Sequence, residues 1–139
     1  MKVMRRTALF LIVSLFAGMI LNAQVVRNDV IKVYNEGATA MQSDIPAAIK
    51  SFENVVVLAD QAGTEAADLK DKAVKVLPGL YVKVANAARE AKKPANEVIK
   101  LAKIAAAAAD KYGSPSARDN DGKIMLAGYN SMAADYFAK

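Results

Sequence analysis

The stretch Val98–Gly113, VIKLAKIAAAAADKYG, repeats the plan of an earlier one, Ala48–Gly63, AIKSFENVVVLADQAG, at an offset of fifty residues. Ile49 and Ile99, Lys50 and Lys100, Ala59 and Ala109, Asp60 and Asp110, and Gly63 and Gly113 coincide. In the later copy Val98, Leu101, Ala102, Ala105, Ala108, Ala109 and Tyr112 recur at the three- and four-residue spacing of one helical face. The same places in the earlier copy hold Ala48, Ser51, Phe52, Val55, Leu58, Ala59 and Ala62. Each copy stops at a glycine, the residue that most easily takes the left-handed conformation that closes a helix. A helix that occurs twice predicts an all-α chain of repeated units.

Working outward, Asn28 is placed to cap a helix running to about Gln42, with Asp29 favourable beside its positive end. Val30, Val33, Tyr34, Gly37 and Met41 form its expected buried face. Ser43 and Asp44 break the pattern, and Pro46 fits the first turn of the next helix, where its missing N–H costs nothing. Thr64 is the expected cap of a long third helix that reaches Lys92 or Lys93, interrupted at Pro78 and Gly79. Proline there should kink it, and two shorter helices are the competing reading. Pro94 opens the second copy, and Ser114 and Pro115 open a last helix. Gly128 follows Pro78 by fifty residues, so the long helices are expected to weaken at equivalent places. Short connectors predict antiparallel neighbours. Strands find little support in stretches filled by Ala, Lys, Glu, Leu and Met.

Composition narrows the function. The chain has 139 residues, one domain's worth, and a formal charge of +5. Three of the basic residues, Lys2, Arg5 and Arg6, precede the first acid, Asp29; residues 24–139 hold 16 basic and 14 acidic residues, a net of +2. That is no nucleic-acid footprint. The absence of cysteine removes disulfides, thiolate metal sites and thiol nucleophiles, and the absence of histidine removes the commonest general base. Residues 1–23 have the layout of a secretory signal: basic MKVMRR, an apolar run from Ala8 to Leu21, and small Ala23. Cleavage is expected before Gln24, leaving a helical domain over residues 24–139 that is periplasmic or secreted. An uncleaved anchor is the alternative, since the run approaches the roughly 17 residues that just span a bilayer.

The helix-turn-helix period, with small residues at helix crossings, resembles the tetratricopeptide (TPR) repeat. YNEGATAMQSDIPAAIKSF (residues 34–52) looks like the start of one repeat, and LYVKVANAAREAKKPANEVIKLA (residues 80–102) like another. Tyr129, Asn130 and SMAADYFAK resemble the first helix of a third. The overall style is similar to exported TPR proteins of Bacteroidetes-type bacteria. The resemblance implies antiparallel helix pairs stacked as a short solenoid of about five helices. It makes two and a half repeats, at residues 28–63, 64–113 and 114–139. The match departs from the family in its period of about fifty, in Val55 and Val98 at alanine places, and in Ala102 at the aromatic place.

No catalytic constellation emerges. Asp68 and Asp71 lie three apart beside Lys70 and Lys72, which reads as a solvated face rather than a metal site. Asp119, Asn120, Asp121 and Gly122 are similar to part of a calcium loop but lack its remaining ligands and terminal glutamate. Glu36, Glu53, Glu90 and Glu97 stand singly. Tyrosine and asparagine recur as pairs, Tyr34 with Asn35, Tyr81 with Asn86, Tyr129 with Asn130, near matching points of the three first helices. In a TPR array those helices line the concave face, which implies peptide binding by Lys32, Asn35, Lys83, Asn86 and Asn130. The alternative is that the tyrosines fill the core and the asparagines are spacers. The expected function is therefore a non-enzymatic module that binds a protein or peptide partner in the cell envelope. It needs no cofactor, metal, nucleic acid or small-molecule substrate, and touches membrane only through an uncleaved signal. A structural protein whose last helix is completed by another copy, a homo-oligomer, is the competing expectation.

Overall fold

The computed structural model describes residues 27–138; the expected signal at residues 1–23 lies outside them. The described chain is all-helical, with no strand. Residues 27–40 form a leading helical stretch, and four bounded helices follow: α1 (Ile45–Ala62), α2 (Ala67–Glu90), α3 (Ala95–Tyr112) and α4 (Pro115–Phe137).

The helix ends show where local chemistry acts. Asp44 caps α1 by accepting from the Ala47 N–H at 2.9 Å, with Pro46 in the first turn. α1 ends at Gly63, whose φ of 68° and ψ of −140° suit only glycine well. Gly113 (φ 67°, ψ 46°) closes α3 in the left-handed region: its own N–H donates to Asp110 O and that of Ser114 to Ala109 O, a Schellman pair. The same pair closes α2, from Lys92 N–H to Arg89 O and Lys93 N–H to Ala88 O. There the left-handed residue is Lys92, at φ 51°.

Several expected boundaries are corrected. Asn28 lies inside the leading helix, which already includes residue 27. Thr64 belongs to a 3₁₀ turn, Gly63–Ala66, so α2 starts without a side-chain cap. α2 is one continuous helix through Pro78. Proline has no N–H to offer the carbonyl of Val74, so one ladder bond is missing. Buried residues on both sides, Leu77 and Leu80 before and after it and Val82 and Ala85 beyond, hold the helix together across that gap.

Neighbours in the chain pack on one another, and α2 also packs along α4. Two cores result. The leading stretch, α1 and the first part of α2 build one around Val30, Phe52, Val55, Leu69, Leu77 and Leu80. The end of α2, α3 and α4 build the other around Val82, Ala85, Val98, Ala102, Ala109 and Ile124. α2 is common to both. Phe52 is 1% exposed, and Tyr34 meets its ring edge-on at 5.4 Å between centroids. Gly37 permits this: a Cβ there would lie 3.2 Å from the Phe52 ring. In α3 the alanines at 105, 106, 108 and 109 are all buried, because α2 and α4 press on that helix from two sides and only small side chains fit. Gly128 does the same between α3 and α4, where a Cβ would lie 2.6 Å from Ile99 Cγ1. It is a packing contact, not the expected weak point.

Candidate interaction surface

The five residues picked from sequence fall on three helices. Lys32 and Asn35 are exposed on the leading stretch, where with Glu36, Thr39 and Ala40 they border an open depression of about 530 Å³. Lys83 is exposed and Asn86 half-buried on α2; Asn130 is exposed on α4. Among the described residues, no side-chain hydrogen bond or ion pair links any two of the five; the Asn35 carbonyl accepts from Thr39 Oγ1 at 2.9 Å. Arg27 pairs with Asp68 at 3.3 Å and so sets the leading stretch beside the start of α2. Lys83 and Asn86 on α2 and Asn130 on α4 sit on two helices that pack together, and Lys32 with Asn35 lies on the leading stretch.

A groove that sequence reading missed lies where the end of α2, the start of α3 and the second half of α4 meet. Its volume is about 300 Å³, with Arg89, Lys92 and Lys93 around it, Val98 and Gly128 at its apolar floor, and Ser131 on one wall. Lys93 pairs with Glu97 at 3.5 Å; Arg89 and Lys92 join no ion pair among the described residues. The groove offers positive charge beside apolar surface. Its only sequence signal is the basic run around the α2 terminus, which by itself reads as complementing the helix dipole.

The tyrosines divide. Tyr34 packs on Phe52, and Tyr81 donates from its hydroxyl to Glu53 Oε1 at 2.7 Å. Burial, and then the hydrogen bond and charge of Glu53, push the Tyr81 hydroxyl well above its ordinary pKa. It is a fixed donor and not an acid or base for chemistry near neutrality. It floors a cleft of about 210 Å³ between α1 and α3, whose far wall includes Ile104, Lys111 and Tyr112. The Lys111 ammonium stands 5.0 Å over the Tyr112 ring. Tyr129, by contrast, is 50% exposed.

The acids are dispersed. Asp68 is held by Arg27 and by Lys72 at 3.9 Å, and Asp119 to Gly122 are helical, with Asp119 and Asn120 exposed and Asp121 buried. Among the described residues no three potential metal-ligating side chains come together. Asp121 is the exception to solvation: it is 0% exposed, and neither carboxylate oxygen has a hydrogen-bond partner. Burial pushes its carboxyl up to about 6, with Arg118 drawing it down and Asp110 raising it further.

From Leu126 to Phe137, α4 keeps only Gly128 in the core. Leu126, Tyr129, Met132 and Tyr136 recur at helical spacing and are 62, 50, 46 and 77% exposed, with Phe137 beside them at 84%. Most large exposed apolar side chains of the described residues belong to this one helix. Comparison with protein-family models, with curated proteins and with solved structures returns no match.

Proposed function

We propose that the chain is a non-enzymatic helical-repeat module, a short TPR-like solenoid of about five antiparallel helices, that binds a protein or peptide. It acts in the cell envelope, periplasmic or secreted, once the signal has been removed. The observation that carries this reading is the sharing of α2 by two cores of like construction. Layers joined through a common helix are what stacked helical units require, since a single pair cannot bury its own apolar face. The first helices of the units present Lys32, Asn35, Lys83, Asn86 and Asn130, and the groove at Arg89 and Lys92 shares α2 and α4 with the last three.

Immobilised chain exposed to envelope extract should retain a protein. The combined variant Asn35→Ala, Lys83→Ala, Asn86→Ala should release it. No retained protein contradicts the binding role, and retention unaffected by the three changes contradicts the surface.

A second reading, self-association, is favoured by the exposed stripe of α4 from Leu126 to Tyr136. In that arrangement another copy covers α4 as α1 and α3 cover the helices before them. Light scattering that finds only monomer at high concentration excludes it.

A further inference from the structure

Asp121 occupies a place in α4 that a carboxylate does not suit. Ala117, Asp121, Ile124 and Gly128 are the buried residues of this helix and make the face it lays against the rest of the domain. Three of the four are apolar or lack a side chain; the fourth is an acid with both oxygens buried and unpartnered. An ionised carboxylate without hydrogen bonds is among the costliest groups to bury, whereas the neutral acid is far cheaper.

The charges around it do little to relieve this. On its own helix Arg118 lies one turn earlier, but its guanidinium is turned to Asp110 of α3, at 3.5 Å. Asp110 itself repels an ionised Asp121. The α2 residues buried in this core, Val82, Ala85 and Ala88, carry no charge, and the charged groups that act on the carboxyl are Arg118 and Asp110. The charged form therefore has one competing cation, one like charge and no donor.

From this geometry we infer that docking of α4 onto α2 and α3 is linked to a proton on Asp121. With the carboxyl neutral, α4 lies closed on the domain. When the carboxyl ionises it draws water, and the segment from Ala117 to Gly128 opens locally. Opening parts Gly128 from Ile99 and unmakes the wall that Ala127, Gly128 and Ser131 give to the basic groove.

Hydrogen exchange in the full chain tests it, with α1 amides as the internal reference and intrinsic rates divided out. Protection of α4 relative to α1 should fall about tenfold from about pH 5 to about pH 7.5, and Asp121→Asn should remove that fall. Equal protection at the two pH values, or the same fall in Asp121→Asn, overturns the proposal. Should the variant not fold, the carboxyl carbon of Asp121 followed by NMR in the unaltered chain decides. Titration near 6 supports the link, and titration near the ordinary value for aspartate defeats it.

Discussion

Gly128 of α4 lies so close to Ile99 of α3 that a Cβ on it would sit 2.6 Å from Ile99 Cγ1 and 3.5 Å from the carbonyl oxygen of Ala95. Cγ1 is not the free end of a flexible chain, and Ile99 is only 6% exposed, so it has little room to move. Gly128→Ala gains up to about 1 kcal/mol of helix propensity. It loses about 1 to 3 kcal/mol to overpacking. The expected net effect is a loss of about 1 kcal/mol in urea unfolding. In an Ile99→Ala background the clash is gone and Gly128→Ala should stabilise, a change of sign that a double-mutant cycle reads directly. Gly122, six residues earlier in α4, has nothing within 4 Å of its built Cβ, so Gly122→Ala should add about 0.5 to 1 kcal/mol in either background.

Phe52→Ala should cost about 3 to 5 kcal/mol. The ring is 1% exposed, meets Tyr34 edge-on and, with the Ser51 side chain, fills the space above Gly37. Since the first core includes α2 residues from Leu69 to Leu80, the loss should appear in thermal unfolding of the whole domain and not as fraying of the leading stretch alone. A melting curve in which only the leading stretch is lost would show that the two cores do not share α2 energetically.

These two glycines show how far the residues themselves disclosed the fold. Gly37 was recognisable because it interrupts an apolar face that Val33, Tyr34 and Met41 otherwise maintain, and its opposite, Phe52, is the one aromatic residue in the earlier copy of the repeated stripe. Gly128 was misread as a weak point because a missing side chain reveals nothing about the neighbour that uses the space. The helical faces of α1 and α3 were legible since burial follows the 3.6-residue period. The starts at Asn28 and Thr64 were not, because a capping residue type is as much at home in a turn, where Thr64 lies, and is tolerated within a helix, where Asn28 lies. Asp121 was hidden for a related reason: an acid next to Asp119 and Asn120 reads as solvated until the helix phase is known. The groove around Arg89 and Lys92 joins three helices, and no local pattern encodes such a meeting.

Lys92 offers a test of strain at a helix end. It holds φ 51° and supplies the left-handed turn that closes α2, with hydrogen bonds of 3.0 Å to Arg89 O and from Lys93 to Ala88 O. A residue with a Cβ spends about 1 to 2 kcal/mol in this conformation. Lys92→Gly should therefore raise stability by about 1 kcal/mol, despite the greater freedom of glycine in the unfolded chain. Lys92→Ala keeps the strain and removes the charge, so it should leave stability nearly unchanged. If Lys92→Ala stabilises as much as Lys92→Gly, repulsion among Arg89, Lys92 and Lys93 is the cause and the backbone account fails.

Asp121 gives the stability of the domain a pH dependence opposite to that of ion-paired acids. Its folded pKa, about 6, is above its ordinary value of 3.8, so the folded state holds the proton more tightly than the unfolded chain does. The associated stability is fully present below about pH 3.8 and is lost as pH rises through about 6, above which the loss is constant. The interval from 3.8 to about 6 corresponds to about 3 kcal/mol at most. The informative quantity is the difference in unfolding free energy between Asp121→Asn and the unaltered chain, in which contributions common to both cancel. Any fixed cost of burying the asparagine amide is independent of pH and drops out of the slope. That difference should shift in favour of the variant between about pH 4 and pH 6.5 by about 2 to 3 kcal/mol and then level off. A flat difference would mean that water reaches the carboxylate in solution, and a shift in the other direction would mean that Arg118 turns from Asp110 to pair with it.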